Sequence, residues 1–328
     1  MTPRDRHEHD ATTPLEGRSR RVLLRGILAG LAGLACPRSR AAQEENAKGA
    51  AHDDAEIARV REQAKAAGLG RFEFTKSKHF LALGDAALSF QREALAVCEA
   101  LGDAFLACFR KAGFHVSYPP ERLTVIVLKD EDSYARLQGQ APGKEVGGHY
   151  DLETNRLVIF DFRSRQGNPE GQAEQDNLLA LVHETAHQLT FNTGMLDRGG
   201  NLPLAVLEGL ATYVEVWRPR VRNGIGGVNL RRLEALRQSD DWIPVADLLA
   251  DDKAFDPETE QLAYAESWLF VHYMLRSGLR HSRFRDYLSQ AQAAKTRDQR
   301  LRVAERTLGS LERLEHELKI EGRKYLSR

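Results

Sequence analysis

Leu178-Leu179-Ala180-Leu181-Val182-His183-Glu184-Thr185-Ala186-His187-Gln188-Leu189 sets two histidines and a glutamate in an apolar run long enough for a buried helix. Helical residues four apart lie one above the other, so His183 and His187 aim their imidazoles at one point. Two neutral imidazoles at that spacing supply half of a tetrahedral zinc site. Glu184 comes next round the helix from His183, near enough to hold a water on a metal yet turned away from direct ligation. That is the position of a general base acting on a water whose pKa a metal has lowered. Two core histidines beside a surface glutamate would give the same string by coincidence. The apolar setting argues against that, because a solvated face would not bury two imidazoles so close together.

What completes the site decides its class. A third ligand six residues after His187, preceded by a glycine, is ruled out because Thr190 and Thr193 occupy those positions. The segment Leu202-Pro203-Leu204-Ala205-Val206-Leu207-Glu208-Gly209-Leu210-Ala211-Thr212-Tyr213 offers Glu208 instead. Pro203 suits the first turn of a new helix, and a carboxylate among Val206, Leu207, Leu210 and Ala211 is costly to bury unless something positive pairs with it. Gly209 removes a side chain where the histidine helix and this one, or a substrate, would approach closely. Asp197 and Glu215 are rivals. Asp197 sits in the turn-like Asp197-Arg198-Gly199-Gly200-Asn201, whereas Glu215 is two turns beyond Glu208 and is placed to support a ligand from behind.

With these residues the chain resembles the gluzincin zinc metallopeptidases, and among them the bacterial peptidase-MA-like domains that carry H-E-x-x-H followed by L-P-x-x-x-x-E-G-x-A-x-Y. The resemblance runs from about Arg71 to the C-terminus, although its specific motifs cover only His183 to Tyr213. Leu204, Ala205 and Val206 stand where the family often has a tryptophan, a departure in packing rather than chemistry. The resemblance implies an α+β fold, with a small mixed or antiparallel sheet lobe whose edge strand lies over the active-site helix, followed by a mainly helical lobe. It implies one Zn2+ per chain on His183, His187 and Glu208, with Glu184 as general base. It also implies a tyrosine from a downstream helix donating to the reaction's oxyanion. Tyr264, opening the apolar stretch Leu262 to Leu275, is the candidate, with a plain packed aromatic as the alternative. His272, two turns on, reads as structural.

The remaining pattern supports that layout. Residues 43–70 are polar, Ala-rich and charged, a tether leading into a short helix. Strands are expected at Arg71 to Thr75, His79 to Leu83 and Leu123 to Leu128, the last a buried central strand. A long helix is expected over Ala86 to Ala112. Gly148 to Leu152 and Arg156 to Phe160 read as a hairpin around Glu153-Thr154-Asn155. In gluzincins the edge strand here holds an extended peptide by β-augmentation, so Gly147, Gly148 and Val158 are the expected substrate-binding positions. His149 is left out of the metal shell, because a lone histidine beside a glycine pair reads as a surface residue. From Asn177 onward the pattern is helical, with a loop at Asn223 to Gly227 beside the cleft. Leu308, Leu311, Leu314 and Leu318 form the seam of a last helix. The expected domains are 1–41, 42–70 and 71–328, the last divided into a β-rich lobe at 71–175 and a helical lobe at 176–328.

Ser19-Arg20-Arg21-Val22-Leu23-Leu24-Arg25 reads as a twin-arginine export signal, followed by the short apolar run Gly26 to Ala35 and processing after Ala41. That run is too short to span a bilayer, and the protein is expected to work in the periplasm or outside the cell. A lipid-anchored Cys36 is the alternative, although Gly33 stands where a lipobox wants leucine. In 328 residues, 47 Lys plus Arg balance 47 Asp plus Glu, which gives no electrostatic pull towards nucleic acid or anionic lipid. Cys98 and Cys108 lie about 15 Å apart along one helix, too far for a disulfide unless the helix breaks at Gly102. The functional expectation is an exported peptidase acting on a peptide or protein substrate. A peptide-binding scaffold on a retained peptidase fold, or a zinc hydrolase of another kind, stays open at this point.

Overall fold

A computed structural model describes residues 37–142, 147–164, 170–221, 224–239 and 241–327. Arg20, Arg21 and Cys36, and with them the expected export signal, lie outside the described residues. The chain begins with α1 (Pro37–Ala66), β1 (Glu73–Lys76), β2 (Phe80–Gly84), α2 (Leu88–Lys111), β3 (Leu123–Leu128) and α3 (Glu131–Gln138). It continues through β4 (Gly148–Asp151), β5 (Arg156–Phe160), α4 (Glu170–Asn192), α5 (Leu204–Val214) and α6 (Leu230–Arg237). The last elements are α7 (Val245–Ala250), α8 (Glu260–Leu275), α9 (Gly278–Ala291), α10 (Arg297–Leu308) and α11 (Leu311–Leu326).

The five strands form one sheet in the order β1-β2-β3-β5-β4. The three central strands pair in parallel, and β1 and β4 close the two edges antiparallel. This is the expected α+β layout of a small mixed sheet followed by helices. Strands β2, β3 and β5 are buried along their whole length, as unbroken apolar runs require when both faces of a sheet are covered. Ala82, Val125, Val127, Leu157 and Ile159 pack into the core shared with α2 and α4. Leu83, Ile126, Leu128, Val158 and Phe160 pack on the other face, against α1 and α3.

The expected tether is a helix. From Glu44 onward α1 belongs to the same compact unit as the rest of the chain, with Ile57, Val60 and Ala64 buried beneath the sheet. Buried acids fasten it: Glu56 Oε1 accepts from Arg156 Nε at 2.7 Å, and Asp53 pairs with Arg122 at 2.8 Å and Lys76 at 3.0 Å. Charged residues that read as solvated are instead the bonds to β5 and to the start of β3.

Cys98 and Cys108 are free thiols on an unbroken α2, and burial pushes the Cys98 thiol up to about 12. In the helical lobe α8 is buried on nearly every side, as its apolar circumference demands. His272 is structural, stacked on Trp268 and 2.8 Å from the Tyr325 hydroxyl. The expected leucine seam is split. Leu308 ends α10, while Leu311, Leu314 and Leu318 lie on α11, whose first turn is capped by Ser310 accepting from Arg313 N.

Candidate metal centre

Helices α4 and α5 bring three ligand atoms to one point. His183 Nε2 lies 3.2 Å from His187 Nε2 and 3.2 Å from Glu208 Oε2, and His187 Nε2 lies 3.5 Å from Glu208 Oε2. A tetrahedral ion with bonds of about 2.0–2.1 Å holds its ligands about 3.3 Å apart. All three separations fall at that value, so the residues fit a tetrahedral metal with one vertex left open. His183, His187 and Glu208 are the one such group among the described residues. Their side chains are 14%, 12% and 15% exposed, sheltered yet reachable.

The sequence explains why α5 can present Glu208 here. A Cβ on Gly209 would meet Ser267 O at 2.6 Å and Val271 Cγ2 at 2.7 Å, so the glycine lets α5 lie directly on α8. The sequence pointed to the histidine helix or a substrate as what Gly209 admits; the helix that lies against it is α8. Val206, Leu210 and Ala211 are buried around it, and Glu208 is left facing α4. Burial alone would raise the Glu208 carboxyl, but the charge of His187 and the hydrogen bonds to both histidines hold it well below the usual carboxylate range. Burial likewise opposes charge on His183, and its bonds to Glu208 and Glu215 outweigh that, raising its pKa.

Glu215 stands behind the ligands and Asp197 stands apart, as an exposed turn residue accepting from Gly199 N. Glu215 Oε1 is 2.8 Å from His183 Nδ1. A carboxylate at Nδ1 keeps the proton there and leaves the Nε2 lone pair free to ligate. Glu215 in turn accepts from Arg232 Nη2 at 2.6 Å and Asn229 Nδ2 at 2.9 Å. Burial would raise its pKa, but the His183 bond and the Arg232 charge draw it down to about 2.

Arg232 and Asn229 are site residues that sequence reasoning misses. They follow the loop expected beside the cleft, and the one local signal is Asn229 capping α6 by accepting from Arg232 N. Arg232 also lies over the ring of Tyr264, 4.8 Å from its centroid.

Tyr264 is at the site. Its ring is 6.4 Å from that of His183. Burial, together with the charges of Glu208 and Glu260, raises its pKa, so the phenol keeps its proton. Glu184, on α4 between the two histidines, is half-buried and takes no hydrogen bond among the described residues.

The substrate-binding expectations need correction. A Cβ on Gly147 would meet Ala180 and Phe162 at 2.6 Å, and one on Gly148 would meet Val158 O at 2.5 Å. The close approach these glycines permit is to the chain's own α4 and β5. Val158 is 2% exposed in the core on the α1 face, so its side chain is not available to a ligand. At this end of the sheet the edge strand among the described residues is β4 itself. On it His149, read from the sequence as a surface residue, is half-buried and hydrogen-bonded through Nδ1 to the Tyr134 hydroxyl at 2.8 Å.

No described helix is long and apolar enough to cross a membrane. No curated protein matches the chain. A family described as a protein of unknown function (DUF1570) matches residues 177–298, a span that takes in His183, Glu184, His187, Glu208, Glu215, Arg232 and Tyr264 and leaves out the sheet.

Proposed function

We propose that the protein is an exported zinc-dependent peptidase of the gluzincin type. The observation that carries this reading is the trio of ligand atoms at tetrahedral separations, with the Glu184 carboxylate between the two histidines on α4 and without a hydrogen bond among the described residues. His183, His187 and Glu208 would hold the ion, and Glu215 would fix the tautomer of His183. A zinc ion bound there would lower the pKa of a water and polarise a carbonyl oxygen. Glu184 takes the proton from the attacking water and returns it to the departing amine. The Tyr264 hydroxyl, protonated at neutral pH, donates to the carbonyl oxygen as charge develops on it. The edge of β4, unpaired among the described residues, favours an extended peptide, whose backbone would bond to the strand. Export rests on the sequence Ser19 to Arg25.

The test is digestion of a degenerate, internally quenched peptide pool by zinc-loaded protein. Wild type should cleave it, and Glu184→Gln, which keeps volume and ligands, should lower the rate by about two to four orders of magnitude while retaining metal. Binding of the pool by wild type without cleavage would replace the peptidase reading with that of a peptide-binding scaffold.

A further inference from the structure

Both oxygens of Glu215 are taken by one guanidinium. Arg232 Nη2 donates to Oε1 at 2.6 Å and Nε donates to Oε2 at 3.2 Å, a two-pronged pairing that fixes the plane of the fork as well as the place of its charge. Arg232 comes from the first turn of α6, and Asn229 pins that turn. The Asn229 side chain accepts from Arg232 N at 3.4 Å and donates to Glu215 Oε2 at 2.9 Å and to the Thr212 carbonyl at 3.1 Å. The arginine is therefore held at its base and at its tip.

It is held against Tyr264. The guanidinium carbon lies 4.8 Å from the ring centroid, inside the reach of about 6 Å for a cation–π contact. Phe255, ending the short 3-10 turn Asp252–Phe255, meets the same ring edge-on, with centroids 5.3 Å apart and planes at 83°. The imidazole of His183 lies 6.4 Å from it. Four side chains thus close a circuit: His183 bonds Glu215, Glu215 bonds Arg232, Arg232 covers Tyr264, and Tyr264 returns to His183. The Tyr264 hydroxyl takes no hydrogen bond among the described residues and is not one of the sealed, unpaired polar atoms. Where it points is set by what packs on the ring.

We propose that Arg232 is a positioning residue: anchored on Glu215, it holds the Tyr264 ring so that the hydroxyl meets the carbonyl oxygen as charge develops there. One buried carboxylate then orders both a metal ligand and the oxyanion donor. This rests on the peptidase reading and on the part of Tyr264 in it, and the test separates the two.

The variants are Arg232→Met, which keeps an unbranched stem without charge or fork, Arg232→Lys, which keeps the charge without the fork, and Tyr264→Phe, made singly and combined with each Arg232 change. Each is assayed at saturating zinc, with zinc content as control, for hydrolysis of the quenched peptide pool. Each is also assayed by fluorescence anisotropy for binding of a labelled phosphinic peptide pool, whose P–O⁻ stands where the oxyanion forms and which needs no turnover. A misplacement of about 1 Å can cost about a hundredfold, and losing the hydroxyl outright costs about that much. Arg232→Met should therefore lower kcat about tenfold, leave KM within about twofold and weaken phosphinic binding about tenfold. In the Tyr264→Phe background, with no hydroxyl to place, the same change should alter kcat and Kd by less than about twofold. Arg232→Lys should fall between Arg232→Met and wild type.

Equal losses in both backgrounds would show that Arg232 acts through Glu215 alone and would overturn the assignment. Wild-type kcat and Kd in Arg232→Met, or in Tyr264→Phe, would overturn it too. If wild type cleaves nothing yet the Arg232 effect on phosphinic binding vanishes in Tyr264→Phe, the assignment stands and the peptidase reading falls. Neither cleavage nor phosphinic binding by zinc-loaded wild type overturns both. If Arg232→Met does not fold, Arg232→Lys decides by the same comparison, and unchanged kcat and Kd there overturn the assignment.

Discussion

Glu215→Gln removes one charge and one acceptor from the hydrogen-bonded chain behind His183 while keeping the side chain's volume. Glu215 is 3% exposed and bonds at once to His183, Arg232 and Asn229. Two losses follow. Arg232, 17% exposed, keeps its charge with its carboxylate partner gone. Breaking a buried pair in this one-sided way costs about 3–5 kcal/mol, with the lower end expected because Arg232 retains some solvent. Separately, an amide can donate to Nδ1 and stabilise the wrong tautomer of His183, placing a hydrogen on the ligating Nε2. Loss of such a partner weakens metal binding by about 10- to 100-fold, or about 1.4–2.7 kcal/mol. Chelator competition reads the second loss, and thermal unfolding of metal-free protein reads the first. At fixed excess zinc, the stabilisation gained on adding metal should shrink by the same 10- to 100-fold in affinity. A variant less stable without metal yet binding zinc as tightly as wild type would refute the orienting role and leave Glu215 as the anchor of Arg232 alone.

Tyr264→Phe should retain zinc and lower kcat about a hundredfold with little change in KM, as expected for one lost donor to a developing oxyanion; steady-state kinetics with unchanged kcat would make Tyr264 a packed aromatic under Arg232. Glu266, 5% exposed and accepting from Ile243 N at 2.8 Å, is pushed by burial from 4.5 to about 8. Between those values the folded chain binds a proton that the unfolded chain has released, so stability falls as pH rises from 4.5 through 8. Denaturant unfolding of wild type should show a decline of about 3–5 kcal/mol across that window, and Glu266→Gln should remove most of it. Equal pH slopes for the two proteins would show that Glu266 ionises freely in the fold.

The candidate ligands were legible because metal chemistry demands residues that an apolar helix otherwise avoids. His183, His187 and Glu208 each interrupt a hydrophobic run, and the helix period says where they point. Strands β3 and β5 match their expected limits because both are mostly apolar and buried along their length, having no solvent face. The residues that hold the ligands were legible only in part. Glu215 was one of two rival acids flanking Glu208; the sequence placed it behind a ligand and Asp197 in a turn, and the structure adds its 2.8 Å distance to His183. Arg232 reaches the site from another helix, through a contact with no local pattern. Helix α1 was hidden for a different reason: Asp53 and Glu56 are buried because cations on β1, β5 and the approach to β3 meet them, which a linear reading scores as solvation. His149 read as a surface residue because nothing near it in the sequence signals Tyr134, the partner that half-buries it. Gly147 and Gly148 signalled close approach, without saying to what.

The central claim is that His183, His187 and Glu208 together hold a metal ion. Elemental analysis of protein purified without chelators and dialysed against buffer containing micromolar zinc tests it most directly. Wild type should carry about one zinc per chain, and His183→Ala, His187→Ala and Glu208→Ala should each carry essentially none while remaining folded by circular dichroism. Wild type without bound metal, or full zinc occupancy in Glu208→Ala, would contradict the centre described.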